Sequence, residues 1–137
     1  KKDNIVIYNS GNSMLPLIKP GSRLNVEYIC PDKIKKGDIV LIDKKYHFVV
    51  HRVIKKIVKN REILFLTKGD YNFCWDSVIQ NKEVIGKVVK INNTNLKDKK
   101  WIIINYLVSV FSYTTGLIYR ILFFGVFFKK RLFNQCK

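Results

Sequence analysis

The sequence predicts a mainly β domain, an antiparallel barrel or sandwich, carrying a C-terminal apolar α-helical segment. Three observations predict it. Short apolar or alternating runs recur through residues 1–91, separated by Gly, Pro, Asn and Asp. Residues 92–100 are polar and read as a linker. Residues 101–128 then hold a single charge, Arg120. A chain of 137 residues is long enough for one domain with a core. Its 47% hydrophobic and 13% aromatic content excludes a disordered chain.

The elements follow in order. Ile5-Val6-Ile7-Tyr8 is a short apolar run. Residues 22–28 alternate, which puts Leu24, Val26 and Tyr28 on one face of a half-buried strand. Lys35-Lys36-Gly37-Asp38 is a turn, and Ile39 to Ile42 is a continuous apolar run. Tyr46 to Ile54 is rich in Phe and Val and strongly β-prone. Ile63 to Leu66 and Val84 to Ile91 complete the set, with no internal repeat.

Residues 101–137 form the last unit, apolar and then basic. Read as one helix, residues 101–128 would extend roughly 42 Å, long for a helix buried against so small a domain. The uncharged part, Trp101 to Tyr119, has about the length that crosses a bilayer core. Asn105, Ser109, Ser112, Gly116 and Arg120 share one helical face, and the rest of the circumference is apolar. Such a stripe suits a membrane helix packed on a partner protein or a helix lying in the membrane surface. Gly116 or Gly125 offers a point of division into two helices. The expectation is membrane association rather than a soluble helical cap.

Net charge is +16, and all ten acidic residues lie before residue 101. So basic a chain attracts nucleic acid, anionic lipid or acidic substrate. No helix-turn-helix, zinc-finger or RNA-binding signature is present, so nucleic acid is not an expected partner. The apolar segment makes anionic lipid the simpler one, although solvated Lys on exposed faces is a second account of the charge. The tail Lys129-Lys130-Arg131 favours the cytoplasm for the C-terminus. Lys97, Lys99 and Lys100 flank the other end, so the side of the membrane stays open. Cys30, Cys74 and Cys136 come without a CxxC pair or a His cluster, which argues against a disulfide framework and against zinc.

Chemical content begins at Gly11-Asn12-Ser13-Met14-Leu15-Pro16, where Pro16 stiffens a turn that can hold a hydroxyl still. Taken alone, Ser13 reads as an ordinary turn serine. Four further boxes follow in order: Lys36-Gly37-Asp38-Ile39-Val40, Val50-His51-Arg52-Val53, Thr67-Lys68-Gly69-Asp70-Tyr71-Asn72 with Asp76, and Gly86-Lys87-Val88-Val89. With Ser13-Met14-Leu15-Pro16-Leu17-Ile18 and Lys19-Pro20-Gly21-Ser22, this set resembles type I signal peptidases and their relatives over roughly residues 8–91.

The resemblance implies a signal-peptidase-like catalytic core over residues 1–91, with Ser13 as nucleophile. A serine hydroxyl needs a base to take its proton. The superfamily uses Lys or His, and Val50-His51-Arg52-Val53 matches the His branch found in endoplasmic-reticulum, archaeal and spore-former enzymes. Imidazole has a reference pKa near neutrality and accepts a proton without large tuning. The resemblance assigns Asp76 to the charge relay with His51, and Asp70, following Gly69, is expected to brace the loop through backbone bonds. Phe73, Cys74 and Trp75 are bulkier than the residues usual there, so both acids stay candidates for His51. His47 lies outside the motif, and Lys68, Lys55 and Lys56 are not expected at the base position. The Ser13 backbone amide is the first oxyanion donor. Gly11 stands where some Lys-type relatives carry a hydroxyl, so a second donor has no candidate.

The implied activity is a serine endopeptidase that cuts a leader from a precursor polypeptide after small residues, with no metal or organic cofactor. No apolar anchor precedes the Ser13 box in the sequence as it begins at Lys1. The expectation is therefore a small anchorless form that matures a dedicated peptide. Two rivals are a self-cleaving repressor-like relative, which would need a DNA-binding domain and normally a Lys base, and a non-catalytic member of the same superfamily.

Overall fold

The computed structural model describes residues 4–59 and 62–114. The expectations for Gly116, Arg120, Gly125, Cys136 and the basic tail lie outside the described residues. The strands are β1 (Asn4–Tyr8), β2 (Arg23–Glu27), β3 (Ile39–Asp43), β4 (Phe48–Lys59), β5 (Glu62–Lys68), β6 (Ile79–Gln80), β7 (Val84–Ile91) and β8 (Thr94–Asn95). Helix α1 covers residues 99–114. The strands form one sheet in the order β1-β2-β7-β3-β4-β5-β6, with β8 paired to β7. Every pairing is antiparallel, and the sheet curls into a half-barrel. The expectation of a mainly β chain with an apolar helix following it holds at this level.

β3 lies at the centre. Its run Ile39-Val40-Leu41-Ile42 is buried on both faces, which is why it reads as continuous rather than alternating. Ile39 and Leu41 join one apolar cluster with Met14, Ile18, Leu24 and Val88. Val40 and Ile42 join a second with Ile34, Val53, Phe65 and Ile79. The longest ladder, β4 with β5, runs from Arg52↔Lys68 to Lys59↔Glu62, with an irregularity between Val53 and Lys55.

Several sequence expectations change in detail. β2 ends at Glu27, so Tyr28 leaves the strand and is 68% exposed instead of sharing the buried face of Leu24 and Val26. Tyr46 precedes β4 in a tight turn with Lys45 at φ 65, and is exposed. Residues 92–100 are more structured than a tether. Asn92 turns the chain at φ 49 and accepts from the Arg23 amide through Oδ1 at 2.9 Å. β8 then returns along β7, and Leu96 is buried. The Asp98 carbonyl accepts the Trp101 and Ile102 amides at 2.9 and 3.1 Å, which starts α1.

α1 docks with its polar face inward. Asn105, Ser109 and Ser112 are buried, whereas Ile102, Ile103, Leu107 and Phe111 are exposed. Among the described residues no helix is long and apolar enough to cross a membrane. The docking is close because Gly37 has no side chain. A Cβ there would lie 3.0 Å from the Asn105 carbonyl carbon and oxygen and from the Tyr106 amide. Gly37 also sits at φ +94, a conformation L side chains rarely adopt. Gly37→Ala is therefore expected to cost about 2 kcal/mol or more in urea unfolding, and to speed amide exchange in residues 99–114.

Candidate active site

Ser13 lies in the loop between β1 and β2, which is tied at its base. The Asn9 amide donates to Ser22 O at 2.9 Å and the Gly21 amide to Asn9 O at 2.7 Å. Asn9 Nδ2 donates to Gly11 O at 2.7 Å and to Lys19 O at 3.2 Å. The Leu15–Pro16 peptide bond is cis. Met14 and Ile18 are fully buried in the first cluster. Apolar anchors thus fix the backbone beside Ser13, which is itself half-buried.

His51 comes from β4, paired with Val40 of β3. Strand alternation sends His51 and Arg52 to opposite faces. His51 Nε2 lies 3.1 Å from Ser13 Oγ, and Nδ1 lies 2.5 Å from Asp76 Oδ2. A carboxylate accepts only, so Nδ1 carries the proton and donates, while Nε2 accepts from the Ser13 hydroxyl. Asp76 is held in turn. Its amide donates to Thr67 O at 2.9 Å, and Thr67 Oγ1 donates to Asp76 Oδ2 at 2.8 Å.

The loop bearing Asp76 is pinned onto the Ser13 segment. The Tyr71 amide donates to Ser13 O at 2.9 Å. A Cβ on Gly69 would come within 2.6 Å of Ser13 O and 2.9 Å of Ser13 Cβ, so only glycine permits this approach.

Asp70 does not meet His51. Its two oxygens accept Nε and Nη2 of Arg52, both at 2.7 Å. Arg52 is 0% exposed, and its Nη1 donates to Gly37 O at 3.0 Å and to Asn105 Oδ1 at 2.7 Å. Asp70 therefore braces its loop by a side-chain fork, where backbone bonds were expected. Asn105, read in the sequence as part of a stripe for a partner protein, is an acceptor for this chain's own buried cation. Trp75 of the loop stacks on Tyr113 of α1 with ring centroids 5.2 Å apart.

Lys68 is buried. Burial pushes its ammonium below the ordinary value of 10.5, while Asp70, Asp76 and Cys74 pull it back up. Cys30 and Cys74 are exposed free thiols. Among the described residues no group of three or more His, Cys, Asp or Glu is placed to hold a metal ion.

The structure thus brings Ser13, His51 and Asp76 together and sends Asp70 to Arg52. Sequence reasoning gave no role of their own to Arg52 or Thr67, and it placed Asn105 on a helical stripe without its target. A signal existed for the first: a cation next to a candidate base on a strand faces the other side and, if buried, needs an acid. Chemically, the arrangement is one that can activate a serine: a hydroxyl within reach of an imidazole whose other ring nitrogen is held by a carboxylate. No protein-family model matches the chain, and no curated protein matches it.

Two outcomes follow from the buried charges. Asp70→Ala leaves Arg52 without its fork partner and is expected to cost about 3–5 kcal/mol in urea unfolding. Lys68 has its folded-state pKa lowered, so its charge costs stability at neutral pH, and that cost is relieved as pH rises toward 10.5. Lys68→Met is expected to be more stable than the parent at pH 7. The gap should narrow as pH rises, measured by paired unfolding curves from pH 7 upward.

Proposed function

We propose that the chain is a serine endopeptidase resembling type I signal peptidases of the Ser/His kind, which cuts a leader segment from a precursor polypeptide after small residues. The observation that carries this reading is the contact chain Ser13 Oγ to His51 Nε2 at 3.1 Å and His51 Nδ1 to Asp76 Oδ2 at 2.5 Å. The five sequence boxes support it from a separate direction, and a curled antiparallel sheet is compatible with such a core.

The chemistry is acyl transfer. Ser13 Oγ attacks the scissile carbonyl as His51 Nε2 takes its proton. Asp76 holds the imidazole with Nε2 toward the hydroxyl and stabilises the imidazolium that forms. The Ser13 amide is the donor assigned to the developing oxyanion. His51 then returns the proton to the leaving amine, and the new amino terminus departs. Water attacks the acyl-enzyme with His51 again as base, which frees the carboxylate product and regenerates the Ser13 hydroxyl. Thr67 and the Tyr71 amide hold the acid and the nucleophile backbone through these steps.

The test is cleavage of a co-expressed precursor bearing an Ala-x-Ala site, with variants at equal abundance. The parent is expected to cut. Ser13→Ala and His51→Ala are each expected to lose at least about 10³-fold in rate, and Asp76→Asn about 10²- to 10⁴-fold. Parent and variants cutting alike would overturn the reading.

A further inference from the structure

A helix on a water-soluble domain buries its apolar face. α1 does the reverse. Asn105, Ser109 and Ser112 are 7%, 0% and 4% exposed, whereas Ile102, Ile103, Tyr106, Leu107, Val110 and Phe111 are 36% to 70% exposed. At about 100° per residue those six sweep about 180° of the circumference. Each forgoes favourable burial when it faces water.

Charge identifies what covers this face. Lys97, Lys99 and Lys100 are exposed at the start of α1; Asp98 is the one acid within that run, and Lys97 is paired with Glu27 at 2.8 Å. A cleft beside the helix brings Lys33, Lys35, Lys36 and Lys87 against Ile102 and Tyr106. Lys87 is paired with Asp38 at 2.7 Å, and Lys36 Nζ sits 5.5 Å from the Tyr106 ring centre. An apolar helical face rimmed by lysines, on a chain of net charge +16, matches the boundary between anionic headgroups and acyl chains. The width of the face points the same way. A helix in a protein groove or a coiled coil commits a narrower stripe, whereas fluid lipid covers a convex half-cylinder.

The docked face fixes the orientation. The domain contacts α1 from Trp101, packed on the first core cluster, through Asn105 to Tyr113, stacked on Trp75. That is about 18 Å of helix. A helix covered by protein over this length cannot be ringed by hydrocarbon, so only its outer half is available to lipid. We propose that residues 99–114 lie flat on an anionic bilayer, with Ile103, Leu107, Val110 and Phe111 below the headgroups and the β domain on the water side. The Trp75–Tyr113 stack then sets the Asp76 loop beside the lipid surface. This proposal stands apart from the peptidase reading, and its test uses no activity measurement.

The experiment uses the full chain with Cys30, Cys74 and Cys136 changed to Ser, and a nitroxide on Ile103→Cys or Val110→Cys. Vesicles of phosphatidylglycerol and phosphatidylcholine are compared with phosphatidylcholine alone. Label depth is read from relaxation by oxygen and by a water-soluble nickel complex, which reports α1 itself rather than the apolar residues after it. Both labels are expected at one shared depth, about 5–10 Å below the phosphates, with binding weakened by salt and by omission of phosphatidylglycerol. Ile103→Glu combined with Leu107→Glu is expected to weaken vesicle binding at least tenfold. Depths differing by about 10 Å would mean that the helix crosses and would overturn the proposal. Labels in water would overturn it, as would labels shielded from both relaxants, the sign of a second copy or another protein on this face.

Discussion

The guanidinium of Arg52 is the constraint on which the rest of the structure depends. It is fully buried, and it takes partners from three separate segments: Asp70 of the loop that also bears Asp76, the Gly37 carbonyl of the turn before β3, and Asn105 of α1. A cation in that position is tolerated only if its donors are met with good geometry. The bidentate fork to Asp70 supplies the opposite charge, and the two neutral acceptors take Nη1. Each segment must therefore be in place for the others to be stable where they are. The close contact at Gly37, the polar inward face of α1 and the path of the loop through Asp70 are one solution to a single problem.

The contact chain of Ser13, His51 and Asp76 lies on the other face of the same strand. His51 and Arg52 are adjacent, and alternation sends one toward Ser13 and the other under α1. Asp70 and Asp76 divide in the same way, one to each neighbour. The loop that carries both acids is fastened at Thr67 and at the Ser13 carbonyl. A displacement of α1 would thus reach His51 through Asp70 and the loop, although no residue of α1 touches His51 or Ser13 in the contacts described above.

Strand positions were legible in the sequence because apolar alternation is a local signal, and β3 stood out because burial on both faces removes alternation. Tyr28 and Tyr46 misled because aromatic residues favour strands by propensity, while the end of β2 and the turn at Lys45 are set by pairing elsewhere. The candidates Ser13, His51 and Asp76 were readable only from ordered boxes. Their approach in space depends on contacts between distant segments. The direction of Asp70 was not readable, since it depends on a buried Arg whose burial is itself tertiary. The stripe on α1 was visible by helical period, yet its target was not, because a polar face in an apolar helix signals a neighbour without naming it.

The hairpin of β4 and β5 has a consequence for the order in which the molecule assembles. His51 and Thr67 sit on strands joined by a short connection, so the imidazole and the residue that holds Asp76 come together through sequence-local contacts. Ser13 must be recruited from 38 residues away, a closure that costs chain entropy before it is rewarded. Ser13 precedes the hairpin in the chain, and it meets His51 only where the β1–β2 loop is docked against that hairpin. On the proposed reading, a nascent chain would carry Ser13 long before it carries the geometry around it, and reactivity would arrive only with the completed fold.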